Sequence, residues 1–429
     1  MPAVAVHTEV FSQLVKSTAL ASGMPTARQA FVPQPVVDRT AAQLRSYIEG
    51  ADPVSGRPFL REVIEGLTRP LDDADLSGLS FERATPRLLE PDGEDNLHAL
   101  FEENRWTDHL PIVLPTEERV EAMLRGTGRD PDEVVGTLRP TAYREAWEFT
   151  VEKVAVNAVM AGARPAYLPV ILALAATGQT ARSSSTNSFA VIAAVNGPIR
   201  GEIGMNDGIG AMGPYNHANA TIGRAYNLAS INLQGGSVPG DTYMGSVGNW
   251  YNYSSTFAEA EERSPWQPFH VQKGFAAQES AASVFFGAWY THAGYGPRDT
   301  WQENFRRSLA GCEHHFPPLF VMDPVCARGL VERGFDTKEK MIDWLADNAR
   351  LPAREYWDNQ WVKTLIHPLA VAGVEPFATR LRAAPEESIR IFEPSDINIV
   401  VAGGETQGAW KMIAGRYSEG GTVSVDAWR

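Results

Sequence analysis

The strongest constraint on the fold of this chain is a segment at residues 195–236, which reads VNGPIRGEIGMNDGIGAMGPYNHANATIGRAYNLASINLQGG. A continuous apolar run at residues 189–195 leads into it, and helical spacing of apolar residues resumes at Ile222. A packed core does not need so many glycines and side-chain amides, whereas a backbone that wraps closely around a small polar ligand does. The segment therefore predicts a buried strand, a ligand-binding loop and a helix, in that order.

Size and composition are those of an ordinary globular protein, with 429 residues, 44% hydrophobic and 21% charged. The formal net charge of -14 argues against nucleic-acid binding, because neutralising phosphates requires clustered Lys and Arg. The longest apolar stretch, near residues 168–176, is too short to span a bilayer, and the N-terminus lacks the pattern of a signal peptide. We therefore expect a cytoplasmic protein without a nucleic-acid or membrane partner.

The two cysteines, Cys312 and Cys326, have a spacing that matches no zinc or redox motif. We expect two free thiols in a reducing compartment. His314 and His315 are adjacent, and adjacent side chains diverge on a helix or strand, so their geometry for metal binding is poor. No metal site is predicted, although one assembled from distant residues stays open.

Alternating apolar runs and helical patterns indicate the fold class. The runs predict buried strands at residues 189–195, 319–322 and 397–402, with a further one at 283–286. Helical spacing occupies the stretches at residues 97–104, 117–124, 150–161, 167–176, 222–233, 324–333 and 336–349. Asp336 and Glu339 have the spacing of a capping box at the start of the last helix. Strands that alternate with helices favour an α/β fold, with a layered mixed or parallel sheet flanked by helices.

The chain divides into three regions by composition. Proline punctuates residues 1–100, so we expect an irregular N-terminal extension that wraps a core or a neighbouring subunit, and hence a homo-oligomer. Residues 101–300 are predicted to form an α/β domain that carries the main site, and residues 301–429 a C-terminal α/β region. No internal repeat is visible.

Candidate site residues follow the strand at residues 189–195, because ligands in α/β proteins bind beyond the carboxyl ends of strands. The segment supplies two cations that can grip a carboxylate or phosphate, amides that can bind polar groups, and one proton-transfer group: Asn196, Gly197, Arg200, Asn206, Asn216, His217, Asn219 and Arg224. The alternative is a tight turn whose asparagines bind their own backbone and cap the following helix. The spacing matches neither a dinucleotide-binding motif nor a P-loop.

Further candidates come from three other stretches. Lys153 and Asn157 are four apart and share a helix face, where they can stabilise charge on a substrate or form a solvated polar face. His270 lies in a rigid aromatic loop and is either an acid/base or a histidine that bonds to backbone. Gly403, Gly404 and Glu405 follow the last predicted strand and form either a second wall of the pocket or an ordinary turn.

Several strings of residues resemble a bacterial family of unsettled function, whose members are often labelled by association with UGSC-motif (seleno)proteins. The matching strings are WTD at 106–108, LPIVLPTEERV at 110–120, TVEKVAVNAVMAG at 150–162, VNGPI at 195–199, NATIGRA at 219–225, SPW at 264–266 with His270, and VVAGG at 400–404. The resemblance extends from Leu97 to the C-terminus. It implies a thiol or selenol partner protein and no established reaction. The chain itself lacks a Cys-Gly-Ser-Cys motif, which argues against a redox role of its own.

These residues favour an enzyme that acts on a small polar or anionic metabolite, as a lyase or hydratase that needs no cofactor. In this hypothesis Arg200 or Arg224 anchors the substrate, and His217 or His270 transfers the proton. Lys153 stabilises charge. Two alternatives stay open: a non-catalytic substrate-binding or partner subunit of a thiol/selenol protein, and a metal-dependent enzyme.

Overall fold

The computed structural model describes residues 3–12, 15–16, 19, 24, 26–36, 39–70, 87–138, 147–180, 188–234, 239, 243, 245–296 and 299–429. Its strands are β1 (Ala5–Thr8), β2 (Gln29–Val32), β3 (Val134–Leu138), β4 (Trp147–Thr150), β5 (Ala190–Asn196), β6 (Thr256–Ala258), β7 (Ala281–Tyr295), β8 (Pro318–Met322), β9 (Arg350–Pro352), β10 (Ser388–Arg390), β11 (Asn398–Val401) and β12 (Ala409–Ser424).

The helices are α1 (Ala41–Glu49), α2 (Phe59–Thr68), α3 (Glu94–Glu103), α4 (Glu117–Leu124), α5 (Val151–Met160), α6 (Leu168–Ala176), α7 (Ile199–Glu202), α8 (His217–Gln234), α9 (Phe269–Gln272), α10 (Trp301–Ala310), α11 (Pro324–Val331), α12 (Lys338–Asn348), α13 (Ala353–Asp358), α14 (His367–Val371) and α15 (Phe377–Arg382). Short 3-10 helices lie at Glu9–Phe11, Pro165–Tyr167, Trp250–Asn252, Pro394–Asp396 and Asp426–Trp428, and a π-helix lies at Val362–Ile366. Within the described residues, no helix has both the length and the apolar character that crossing a membrane requires.

The central element is a six-stranded mixed sheet in the order β11-β8-β12-β7-β5-β6. β5 runs parallel to β6 and β8 runs parallel to β11, whereas β7 and β12 pair antiparallel with their neighbours. The predicted α/β fold with a mixed sheet is therefore confirmed. Strands from both sides of residue 300 join in this one sheet through the long β7–β12 pair.

The sheet curls until its two edges meet. The backbone N–H of Ala260, just beyond β6, donates to the carbonyl of Val401 in β11 over 2.7 Å. Alternate side chains from all six strands pack in one apolar cluster, which includes Ile192, Phe257, Phe285, Leu319, Val400 and Ile413. Side chains from the two edge strands can share a cluster only if the sheet closes towards a barrel, because each strand spacing is about 4.8 Å.

The sheet consists of two halves with the same arrangement, although the sequence shows no repeat. In the first half β5 pairs in parallel with β6 and antiparallel with β7. In the second half β8 pairs in parallel with β11 and antiparallel with β12. The residue after Met322 in β8, Asp323, occupies the place that Asn196 has at the end of β5. The two halves are thus related by an approximate twofold axis between β7 and β12.

Each half carries its own helices on the outer face of the sheet. Helices α5, α6 and α8 pack against outward side chains of β5 and β7, in a core that includes Val191, Val195 and Val284. Helices α10, α11 and α12 pack against β8, β11 and β12, in a second core that includes Phe320 and Trp410. Because β5, β8 and β11 are covered on both faces, these three strands read as nearly continuous apolar runs in the sequence.

The N-terminal residues form a small unit of their own. β1 pairs in parallel with β2, and the buried side chains of Ala30, Val32 and Phe59 form a separate cluster beneath α2. The carboxylate of Asp52 accepts hydrogen bonds from the backbone of Phe31 and Val54, which fixes the turn before α2.

Helix starts follow local capping rules with one shift. The Thr116 side chain accepts from the N–H of Arg119 at the start of α4. The predicted capping box at Asp336 is wrong by one residue, because Thr337 caps α12 and accepts from Lys340. Asp336 forms an ion pair with Lys340 at 2.6 Å instead.

Candidate active site

The loop predicted to bind a ligand begins where β5 ends and leads through α7 to α8. The last two residues of the segment, 235–236, lie outside the described residues. Gly197 has a φ of +80°, and a Cβ at this position would overlap the carbonyl of Glu279. The chain turns sharply at Gly197, where only glycine fits both the positive φ and the close contact with the Glu279 backbone.

Asn196 is fully buried and joins two carboxylates. Its Nδ2 donates to Glu259 Oε2 over 2.6 Å and to Glu261 Oε1 over 2.9 Å. The same Oε1 of Glu261 accepts from the N–H of Gly197 at 2.7 Å. Within the described part of the chain, Asn196 Oδ1 has no hydrogen-bond partner. The end of β5 is thus bound to the acidic stretch that follows β6.

Glu259 is a completely buried carboxylate with four hydrogen bonds. Oε1 accepts from Lys338 Nζ at 2.9 Å and from the N–H of Val401 at 3.3 Å. Oε2 accepts from Asn196 and from the N–H of Phe269. Because Lys338 is also buried, this ion pair is held away from water and both charges depend on these partners.

Arg200 is buried, and its guanidinium is fully engaged by the protein. It donates to the carbonyls of Gly197 and Glu259, and it lies 3.1 Å from Glu261 and 2.8 Å from Glu262. Its hydrogen bond to Glu262 lowers the pKa of that carboxyl. Arg200 therefore stabilises the loop, and its planar donors are directed at these groups.

His270 is buried beside this network. Its Nδ1 lies 3.9 Å from Glu261 Oε1, and neither ring nitrogen has a hydrogen-bond partner among the described residues. It lies in α9, next to Phe269, whose ring packs with Phe285 and Tyr417 inside the sheet. The structure thus places His270 beside Glu261, the partner of Asn196, in a position closed to solvent.

Three asparagines of the segment shape the loop before α8. Asn216 Oδ1 accepts from the N–H groups of Ala218 and Asn219, so it caps α8. Asn219 is buried and binds both the N–H and the carbonyl of Asn206, as well as the carbonyl of Ala211. The structure thus assigns these amides the capping and turn contacts weighed as the alternative from the sequence.

The helix-borne candidates lie in the outer helical layer. Arg224 makes a bidentate contact of 2.9 Å with Asp108 and donates to the carbonyls at 110 and 111. Asn157 bonds to the carbonyl of Lys153 and accepts from Asn232 of α8. His217 is exposed, with its ring 5.8 Å from that of Tyr167. Among the described residues, the hydrogen bonds of Arg224 and Asn157 are thus with the outer helical layer, and none is with Asn196.

Gly403 and Gly404 lie in the wall of a cavity of about 430 Å³ where β8 and β11 end. Residues 210–215 of the Gly/Asn-rich loop form the facing wall. Arg263 bridges the two, because it donates to the carbonyl of Gly403 and to Asp207. Glu405 forms an ion pair with Arg328 at 2.5 Å.

The same cavity is rich in hydrogen-bond donors. Lys411 lies on its wall and forms no ion pair with any described residue. Within the described ranges, the backbone N–H groups of Gly404 and Thr406 have no acceptor in the protein. Asp323, directly after β8, also lines the cavity and has one oxygen bound by the N–H of Cys326 and the other by that of Ala409. This arrangement suits a small anion.

Sequence reasoning missed Glu259, Glu261 and Lys338 in the buried network, and Asp323 and Lys411 in the cavity. Glu259 and Glu261 could have been recognised from the acidic stretch at residues 259–262, because it directly follows the strand β6. Lys411 lies inside β12, a strand that the sequence analysis did not predict. Over the residues that the structure describes, no group of three or more His, Cys, Asp or Glu side chains is placed to hold a metal ion.

Comparison of the sequence with protein-family models and with curated proteins finds no match. The resemblance to UGSC-associated proteins, and the thiol or selenol partner that it implies, therefore stay predictions.

Proposed function

We propose that this protein is an enzyme that binds a small carboxylate in the cavity beside Gly404 and carries out acid/base chemistry on it, as a lyase or hydratase. The observation that carries the proposal is the donor-rich wall of that cavity. Its volume of about 430 Å³ lies within the usual range of about 300–1,000 Å³ for small-molecule sites.

Recognition of the anion rests on Lys411 and on the backbone of the loop after β11. A lysine without an ion-pair partner is available to a ligand, and the N–H groups of Gly404 and Thr406 can add short, directional contacts. Charge-assisted hydrogen bonds of this kind are stronger than neutral ones.

Proton transfer is assigned to Asp323 and Lys411, the carboxylate and the ammonium that line the cavity. Asp323 is held in one orientation by its two backbone hydrogen bonds, which satisfies the requirement that an acid or base be positioned before reaction. In this proposal His270 and Glu261 do not contact the substrate. They influence the site by holding the conformation of the loop that begins at Asn196.

Binding is tested first, by calorimetry with a panel of small mono- and dicarboxylates. We expect Lys411→Met to weaken binding by about tenfold or more, and Lys411→Arg to retain most of it. Lys363→Met is the matched control, because it removes the same charge at an exposed ion pair with Asp358. Equal affinities for the wild type and Lys411→Met would exclude this cavity as the anion site.

Chemistry is tested by proton NMR of bound carboxylates in D₂O. An acid/base enzyme exchanges protons at the carbon next to the carboxylate, and Asp323→Asn should abolish this exchange while binding persists. Binding without exchange for every carboxylate that binds would instead favour a substrate-binding subunit.

A further inference from the structure

A second, smaller cavity lies beside the one assigned to the carboxylate. Its volume is about 180 Å³, and it opens next to β6, between Ile192 and the segment that precedes the strand. Met212, Gly213 and Pro214 belong to the walls of both cavities. One loop segment therefore borders two adjacent compartments.

The two compartments differ in chemistry. The smaller one is bordered by the side chains of Ile192, Met212 and Phe257, and by the rings of Tyr251 and Tyr253. Two of its hydroxyls are already used, since Ser254 donates to the carbonyl of Ala220 at 3.1 Å and Ser255 donates to that of Val191. An apolar group fits this compartment, whereas the larger one offers an ammonium and free N–H groups.

The size of the smaller compartment limits what it can hold. An apolar cavity of about 150 Å³ accommodates a benzene molecule. A volume of about 180 Å³ therefore suits a single six-membered ring or a short branched aliphatic group.

We propose that the ligand is a small aryl or branched aliphatic carboxylate that occupies both compartments. Its carboxylate binds at Lys411 and Gly404. Its linker passes residues 212–214, which line both compartments, and its apolar end lies against Tyr253. This inference rests on the proposed function for the head group and adds the chemical class of the rest of the molecule.

The experiment compares three probes by calorimetry: propanoate, phenylpropanoate and phenylpropanol. Burial of a phenyl group contributes enough for phenylpropanoate to bind about 10- to 100-fold more tightly than propanoate. Tyr253→Ala should remove most of that gain and leave the affinity for propanoate unchanged, whereas Tyr253→Phe should retain it. Tyr253 is 55% exposed, so its truncation leaves the core intact.

The outcomes separate this inference from the proposed function. If both carboxylates bind equally well and both are weakened by Lys411→Met, the anion site stands and the second compartment is wrong. If phenylpropanol binds as tightly as phenylpropanoate and Lys411→Met changes neither, the aryl compartment stands and the carboxylate site is wrong. If neither phenyl compound binds, the two-compartment ligand is wrong.

Discussion

Lys338 and Glu259 form an ion pair in which both side chains are completely buried, with Nζ 2.9 Å from Oε1. The two residues are 79 positions apart in the sequence and tie the start of α12 to the stretch after β6. Removing one member leaves the other charge buried without its oppositely charged partner, and only its remaining hydrogen bonds stabilise it. Such truncations are strongly destabilising, whereas the intact pair adds little net stability.

We therefore expect Lys338→Met to lower the free energy of unfolding by roughly 3–5 kcal/mol in urea titrations. The double variant Lys338→Met with Glu259→Gln should recover part of this loss, because the isolated charge is gone. The matched control is Lys340→Met in the exposed pair with Asp336, which should cost no more than about 1 kcal/mol. Equal costs for the two single variants would contradict the argument.

The pair between Arg224 and Asp108 gives a second prediction. The Asp108 side chain is fully buried and the contact is bidentate, so Arg224→Ala should destabilise the protein by roughly 3 kcal/mol or more. Carboxylate affinity, measured by calorimetry on the folded variant, should not change. A selective loss of binding with unchanged stability would restore Arg224 as a substrate anchor.

Gly197 and Gly274 form a matched pair for testing the turn after β5. Both have positive φ, but a Cβ at Gly274 meets open space, whereas one at Gly197 overlaps the backbone of Glu279. We expect Gly274→Ala to lower the free energy of unfolding by about 1–2 kcal/mol because of its positive φ alone. Gly197→Ala should lower it clearly more, because its Cβ also meets the Glu279 backbone. Similar unfolding midpoints for the two variants would show that the loop relaxes freely.

We expect the partly buried side chain of His314 to account for part of the loss of folding stability at acidic pH. Burial lowers its pKa to about 4, and its ring stacks on Tyr356 with centroids 5.5 Å apart. The unfolded chain takes up this proton near pH 6.5, so between pH 6.5 and 4 the unfolded state binds more protons and stability falls as the pH falls. The loss from this group is at most about 3 kcal/mol.

Unfolding measured across this pH range checks the prediction. His314→Phe keeps a ring against Tyr356 and should flatten the acid decline, whereas His367→Gln at an exposed position should leave it unchanged. An acid decline that is the same in the wild type and His314→Phe would assign the effect to other groups.

The thiols give a chemical prediction. Cys312 and Cys326 are both buried, and burial together with the nearby Asp323 carboxylate raises the pKa of Cys326. Because the thiolate is the reactive form, Ellman's reagent should label neither thiol in the native protein and both after unfolding. Rapid labelling of the native protein would point to an accessible thiol.

The strands and helices that the sequence predicted correctly are those with strong local patterns. The run at residues 189–195 became β5, and those at 319–322 and 397–402 became β8 and β11. The segment at 283–286 is only a short part of the long strand β7, near its start, and β12 was missed. Both long strands carry glycines and polar residues, and Gly415 pairs with Gly287 beside a register shift, which weakens the apolar signal.

The site was harder to predict than the fold. Gly197 and Gly403 could be placed beside a ligand loop from local rules, because each follows a buried strand. The partners of Asn196 depend on closure of the sheet, which places Glu259 beside β11 through contacts of high sequence separation. No local pattern distinguishes Arg224, bound to Asp108, from an arginine that is free to bind a substrate.

The twofold arrangement of the sheet has a consequence for how such a protein can change over evolutionary time. Phe269 fills the interior where β5 and β6 end, while the equivalent place after β8 and β11 stays open as a cavity. One half thus has a filled interior that anchors the scaffold, and the other has an open interior that is free to vary. Under the proposed function, mutations around Lys411 alter what the cavity binds and leave the buried charges around Glu259 in place, so new specificities can arise on an unchanged framework.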